Sequence, residues 1–186
     1  MGRLLARIER AGPLGRSVAA ILRRREWYDA RVRGVAAAAL VHAYRPLLRR
    51  CEFIGVTGSC GKTTTKELIA GVLAARFRGT RSPADLNQYF HTATALLRVR
   101  PGDRYNVQEV GIGKYHAGVI DRAIELIRPT IGVVTTIGSD HISAFGSMEA
   151  IAREKRKLVE ALPATGTAVL NADDPLVIAM RDHCKG

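Results

Sequence analysis

Cysteine is scarce in this chain of 186 residues. Cys51, Cys60 and Cys184 are odd in number and lack close metal-ligand spacing, which argues against a disulfide framework or a zinc site. A reducing, cytoplasmic setting fits that usage. Long apolar runs are missing as well. Val35 to Val41 falls far short of the ~20 residues that a transmembrane helix needs, and Arg31, Arg33 and Arg45 flank it. Arg3, Arg7 and Arg10 interrupt the apolar residues at the start, so no secretory pattern is present. Lysine is absent from residues 1–50, which carry 12 Arg against 3 acidic residues, so +9 of the formal +12 sits there. Aromatic residues in that stretch are only Trp27, Tyr28 and Tyr44, which weakens a base-stacking reading and makes nucleic acid an unlikely partner.

What the first 50 residues do have is helical apolar spacing. Leu4, Leu5 and Ile8, then Val18, Ile21 and Leu22, then Val32, Val35, Ala39, Leu40 and Ala43 predict helices over 2–10, 15–25 and 27–49, broken at Gly12-Pro13. Such a basic arm can be a solvated face on helices packed against the domain behind them. It can also meet an anionic membrane surface.

From Cys51 onward strands and helices alternate. Strands are predicted over 51–57, 105–110, 131–137 and 166–171, and helices over 63–76, 88–98, 117–127, 147–161 and 174–182. The fold class is therefore α/β, a mostly parallel sheet with flanking helices, preceded by the basic helices. The organisation is two segments, 1–50 and 51–186. Ligands of such sheets bind beyond the carboxyl ends of the strands.

The first strand runs into Gly55-Val-Thr-Gly-Ser-Cys-Gly-Lys-Thr-Thr64, a glycine-rich loop that opens a helix with Leu68, Ile69, Val72 and Leu73 on its apolar face. Backbone N–H groups of such a loop and the positive end of the helix dipole cradle phosphate. Thr57, Gly58, Ser59, Cys60, Gly61, Lys62, Thr63 and Thr64 are the nucleotide-binding candidates. Lys62 would reach the β- and γ-phosphates, and the Thr63 hydroxyl would take a place on Mg²⁺. The spacing departs from the general P-loop, with Val56 where a glycine is expected, and Gly55 and Gly58 suggest a variant loop.

The other strands end at Glu109, at Asp140-His141 and at Asn171-Ala-Asp-Asp174. Glu109, Asp140 and His141 could all converge on the P-loop mouth. Their position alone equally allows a surface ion pair for Glu109 and a polar loop or core role for His141. Likewise Arg153-Glu-Lys-Arg-Lys157 taken alone reads as a solvated helix face.

These motifs, in this order and spacing, resemble the central ATP-binding domain of the Mur ligase superfamily. The residues that carry the resemblance are Gly55 to Glu67, Glu109-Val-Gly111, Asp140 to Lys155, and Leu170-Asn-Ala-Asp-Asp174. Thr64-Thr-Lys-Glu67 and Phe145-Gly-Ser147 look most like the type that adds D-alanyl-D-alanine to a UDP-linked muramoyl tripeptide. Asp140-His141 looks more like the diaminopimelate-adding and folylpolyglutamate types.

The resemblance implies an ATP- and Mg²⁺-dependent amide ligase of peptidoglycan precursor synthesis, acting through an acyl phosphate. Its substrates would be an acidic peptide, such as a UDP-linked muropeptide, and an amino-acid or dipeptide acceptor. Carried over by position, Lys62, His141 and Lys155 take part in the chemistry. Thr63 and Glu109 serve one Mg²⁺, and His141 and Lys155 a second, with Lys155 carbamylated. Lys157 is the competing candidate. Asn171 falls on the nucleotide side and Asn87 on the substrate side, although the Gly and Pro that follow Asn87 in the family are absent here. The same resemblance implies a nucleotide-sugar domain before this one and an acceptor domain after it, so the chain reads as truncated at its carboxyl end and inactive alone. Ligases for folylpolyglutamate, cyanophycin or polyglutamate are alternatives. So is a basic binding protein with a vestigial P-loop.

Overall fold

A computed structural model of the chain describes residues 35–83, 89–113 and 118–185. The predicted helices over 2–10 and 15–25 lie outside these residues, as does the start of 27–49. Its described part is helix α1 (35–44), which passes into a 3-10 turn at Arg45–Leu48 where Pro46 supplies no N–H to continue the α-helical ladder.

Five parallel strands follow: β1 Glu52–Thr57, β2 Gly79–Arg81, β3 Tyr105–Glu109, β4 Ile131–Val134 and β5 Thr167–Leu170. Their order in the sheet is β2-β3-β1-β4-β5, with Ile54 opposite Val107 on one side and Ile131 on the other. The central strand is thus the one that runs into the P-loop. The connecting helices are α2 Lys62–Ala74, α3 Tyr89–Leu96, α4 Val119–Ile127, a one-turn α5 Ile142–Phe145, α6 Met148–Glu160 and α7 Pro175–Ile178.

The sheet is covered on both faces. Phe53, Val110 and Val134 meet Ala93, Leu96, Ile120, Leu126, Ile151 and Leu158 on one side. Ile54, Val56, Val107 and Val133 meet Ala70 of α2 on the other. Gly55 belongs to this packing rather than to the phosphate loop: a Cβ there would come within 2.8 Å of Leu158 Cδ1, so glycine lets α6 approach β1.

Four expectations need correction. The buried side of α2 is Lys66 and Ala70, with Ile69 and Leu73 partly covered, whereas Leu68 and Val72 are 64% and 74% exposed. Four apolar residues at this spacing span more of the helix circumference than the sheet covers. Strand β2 was not expected, because Gly-Thr-Arg has no apolar alternation. It forms through its ladder to β3, where a Cβ on Gly79 would strike the Tyr105 ring at 2.5 Å. The strand predicted over 131–137 stops at Val134, and the helix predicted over 174–182 becomes α7 and a 3-10 turn at Ala179–His183.

Candidate functional site

Because all strands are parallel, their carboxyl ends share one edge, and the sequence candidates gather there. Gly58 has φ +148°, and a Cβ on it would lie 1.9 Å from Thr135 Oγ1, so only glycine lets the loop lie this close to the residues after β4. Gly61 takes φ +81° and caps α2 at its amino end. The loop leans on residues 135–138 throughout. Ser59 N–H donates to Thr136 O at 2.7 Å, Cys60 N–H to the Thr136 hydroxyl at 3.2 Å, and Gly138 N–H to Ser59 Oγ at 2.8 Å. Thr135 Oγ1 donates to Cys60 O at 2.6 Å. These contacts explain the short β4: its last predicted residues hold the loop instead of extending the ladder. Thr57 is fully buried at the base of the loop, its hydroxyl without a hydrogen-bond partner. Thr64 lies on the exposed side of α2.

Thr63 Oγ1 donates to Glu109 Oε2 at 2.7 Å, which joins the first turn of α2 to the end of β3. Glu109 is 3% exposed. Sequence reasoning missed how it is held: its N–H donates to Ser82 Oγ at 3.1 Å, and the buried Lys66 Nζ donates to Ser82 O at 3.0 Å. Hydroxyl and carboxylate oxygens are the hard donors that Mg²⁺ takes, with water and phosphate oxygens completing the shell. Among the described residues no three His, Cys, Asp or Glu side chains cluster as a metal centre. The Thr63–Glu109 pair therefore fits an ion that arrives with its phosphates.

A small cavity of about 30 Å³ is lined by Gly58, Ser59, Lys62, Asp140, His141 and Lys155, together with Gly111 and Ile112. Lys62 Nζ donates to Ser59 O at 3.1 Å, and Lys155 Nζ to Gly58 O at 2.9 Å. Two ammonium groups thus bracket the phosphate loop. His141 stands at φ +67° before α5, which turns the chain sharply back toward the loop. Burial, reinforced by the neighbouring Lys62 charge, lowers the Lys155 ammonium to about 8, with Asp140 working in the opposite sense.

The solvated-face reading of residues 153–157 fails at its centre, since Glu154 is 7% and Lys155 2% exposed. Helix α6 turns Lys155 inward. Lys157 points elsewhere: burial works against its charge, yet hydrogen bonds to Asp121 and Glu154, both 2.8 Å, hold its pKa above the ordinary lysine value.

Asn171 lines a second, larger cavity of about 450 Å³ with Cys60, Gly61, Thr135, Thr136 and Val169. Its own Oδ1 accepts from Asp173 N–H at 3.1 Å. A residue of the same motif that sequence reasoning left without a role is Asp174. Its Oδ1 caps α7 by accepting from Leu176 and Val177 N–H, and its Oδ2 accepts from Ile137 N–H at 2.7 Å. The signal was readable, since Asp174 precedes Pro175 as an N-cap precedes a first-turn proline. Asn87 lies outside the described residues.

Comparison with known proteins agrees with this geometry. Residues 56–185 match the Mur ligase middle domain. The chain is 42% identical over 127 residues to UDP-N-acetylmuramoyl-tripeptide–D-alanyl-D-alanine ligase of Mycobacterium bovis, covering 68% of this chain and 24% of that protein. It is 34% identical over 124 residues to the Bacillus subtilis enzyme of the same name, covering 67% and 27%. Among solved structures, MurF from Acinetobacter baumannii superposes with a TM-score of 0.74 at 27% identity, over 82% of this chain and 33% of that one. MurF ligase from Thermotoga maritima in complex with ADP gives 0.64 at 26% identity, over 80% and 34%. The chain spans about a quarter of the length of the curated relatives it matches. A phosphate loop braced by the segment after β4, facing a glutamate, a histidine and a buried lysine, goes with these likenesses: the chain belongs to the Mur ligase family and carries its middle domain.

Proposed function

We propose that this chain is the ATP-binding centre of a carboxylate–amine ligase acting in the cytoplasm on peptidoglycan precursors. By kinship with the relatives named above, the donor is a UDP-linked muramoyl peptide and the acceptor D-alanyl-D-alanine. In the reaction a donor carboxylate oxygen attacks the γ-phosphorus, and ADP leaves. The acceptor amine then attacks the resulting acyl phosphate carbon, and phosphate departs as the amine loses a proton.

The loop N–H groups of Gly61, Lys62 and Thr63 hold the phosphates, and Lys62 neutralises charge on the transferred group. Thr63 and Glu109 hold one Mg²⁺; His141 and Lys155 belong to a second. Mg²⁺ supplies charge neutralisation at the phosphoryl oxygens. A bare ammonium would repel it, so Lys155 serves as its carbamate, formed when the neutral amine adds CO₂ and releases a proton. The depressed Lys155 pKa supports this by enlarging the neutral fraction near neutrality. Asn171, which lines the larger cavity with Cys60 and Gly61, is assigned to the nucleoside end of ATP.

The observation that carries the reading is the shared cavity of Lys62, His141 and Lys155 beside the Thr63–Glu109 pair. Calorimetric titration with ATP tests it. Binding should require Mg²⁺ and should fall at least tenfold in Lys62→Ala. In ¹³C NMR under labelled bicarbonate, a carbamate resonance should appear and vanish in Lys155→Met. Mg²⁺-independent ATP binding, or binding indifferent to Lys62, would remove the ligase reading. Absence of the resonance would remove only the carbamate.

A further inference from the structure

The opposite edge of the sheet, where the chain enters the strands, is an arginine pole. Arg49 and Arg50 precede β1, Arg76 and Arg78 precede β2, Arg98, Arg100 and Arg104 precede β3, and Arg128 precedes β4; all eight are exposed. They are brought together by the parallel topology and tied by backbone hydrogen bonds, Arg104 N–H to Arg78 O and Glu52 N–H to Arg104 O. The described acidic groups beside them are fewer: Asp103 is buried and offsets Arg78 at 2.7 Å, and the exposed Glu52 accepts from the Thr130 hydroxyl.

Strand β1, which runs into the phosphate loop, is six residues long, so about 20 Å separates this pole from the nucleotide site at ~3.3 Å per residue. Phosphate binding at the loop therefore leaves these guanidinium groups unused. Two large apolar side chains stand among them. Leu47 is 65% exposed, and Phe77, 40% exposed, lies beneath the Arg76 and Arg104 guanidinium groups at 5.8 and 6.0 Å.

We infer that this pole docks the domain on an anionic lipid surface, its arginines against the headgroups and Leu47 and Phe77 reaching into the interfacial layer. Positive charge interleaved with apolar side chains is the pattern that anionic bilayers bind. A single-stranded nucleic acid would want a row of stacking aromatics, and Phe77 is the one exposed aromatic ring among these described arginines. The sequence over residues 1–34 carries further arginines. Arg45 is not one of the exposed guanidinium groups of the pole: it donates to Ile127 O at 2.9 Å and stacks 3.3 Å over the Phe53 ring. Docked this way, the phosphate loop faces away from the surface. The inference stands apart from the ligase reading.

The test is sedimentation of the full chain with vesicles of phosphatidylcholine, alone or mixed with phosphatidylglycerol. Binding should appear only with phosphatidylglycerol and weaken steeply as salt is raised. An arginine near such a surface is worth about fivefold in partitioning. The combined substitution of Arg76, Arg98, Arg100 and Arg104 by Gln should therefore cost on the order of several hundredfold, with thermal melting and ATP affinity unchanged. A second variant, with Arg3, Arg7, Arg10 and Arg16 replaced by Gln, separates pole from arm and should keep a measurable part of the binding. Binding lost wholly in the arm variant and untouched in the pole variant would overturn the inference. So would equal binding to neutral vesicles, or a preference for single-stranded RNA over vesicles at matched salt.

Discussion

Replacing Lys155 by Met should make the folded domain more stable while removing a group the site needs. The side chain is 2% exposed, and its ammonium is lowered from 10.5 to about 8 chiefly by burial. At ~1.4 kcal/mol per pH unit, keeping it charged at neutral pH costs about 3 kcal/mol. Methionine preserves the unbranched stem but forfeits the hydrogen bond to Gly58 O, worth about 1 kcal/mol. The net expectation is a gain of about 2 kcal/mol at pH 7, or a Tm rise of about 4–8 °C in a chain of this length.

The pH dependence gives the sharper discrimination. The native state releases the Lys155 proton near 8 and the unfolded chain near 10.5, so between those values the unfolded state binds more protons and wild-type stability rises with pH. The Lys155→Met protein lacks that rise, so its advantage should vanish at about pH 10 and become a deficit of up to about 1 kcal/mol above it, where only the lost hydrogen bond remains. Other groups titrate in both proteins and cancel in the difference. Urea denaturation of both proteins in CO₂-free buffers from pH 7 upward measures it. A methionine variant no more stable at pH 7, or a gap constant across the window, would refute the reasoning.

Gly58→Ala places a methyl group 1.9 Å from Thr135 Oγ1. It should cost more than about 2 kcal/mol and weaken ATP binding at least tenfold; near-normal values of both by denaturation and calorimetry would show that Thr135 yields. Asp174→Ala removes three accepted hydrogen bonds and should destabilise by about 2–3 kcal/mol. ATP affinity should fall with it, because the segment that braces the loop comes loose; destabilisation with unchanged affinity would break that link. Leu68→Gln on the exposed side of α2 should change stability by no more than about 0.5 kcal/mol, and a larger loss in urea melts would mean that this face is covered in solution.

The parallel α/β layout, the P-loop and the strand-end candidates were legible because each rests on a local rule: apolar runs for buried strands, glycines and a lysine at fixed spacing, and ligand groups where parallel strands end. Asp140 to Lys155 needed more than local rules. Alternation and charge made Arg153 to Lys157 a wet face, whereas α6 rotates Lys155 under Gly58 and leaves Lys157 with Asp121. Which lysine turns inward depends on helix phase against the sheet, and two residues on a helix differ by more than half a turn. Strand β2 was invisible for a related reason: Gly79, Thr80 and Arg81 have no pattern of their own and take strand form from Tyr105, Asn106 and Val107. The exposure of Leu68 and Val72 likewise depends on how much of α2 the sheet reaches. The role of Gly55 was misassigned because the sequence does not show which helix crosses a strand glycine.

The contact between Asp174 and Ile137 also dictates when the nucleotide pocket can take shape during synthesis. Ser59 is fastened to Thr136 and Gly138, and Ile137 between them to Asp174, which is 37 positions after Ile137 and more than a hundred after Ser59. As the polypeptide emerges from the ribosome, the phosphate loop is made early but stays unfastened until β5 and the turn after it have appeared. Such distant closures are slow, and nucleotide capture should report completion of the whole domain rather than of its first half.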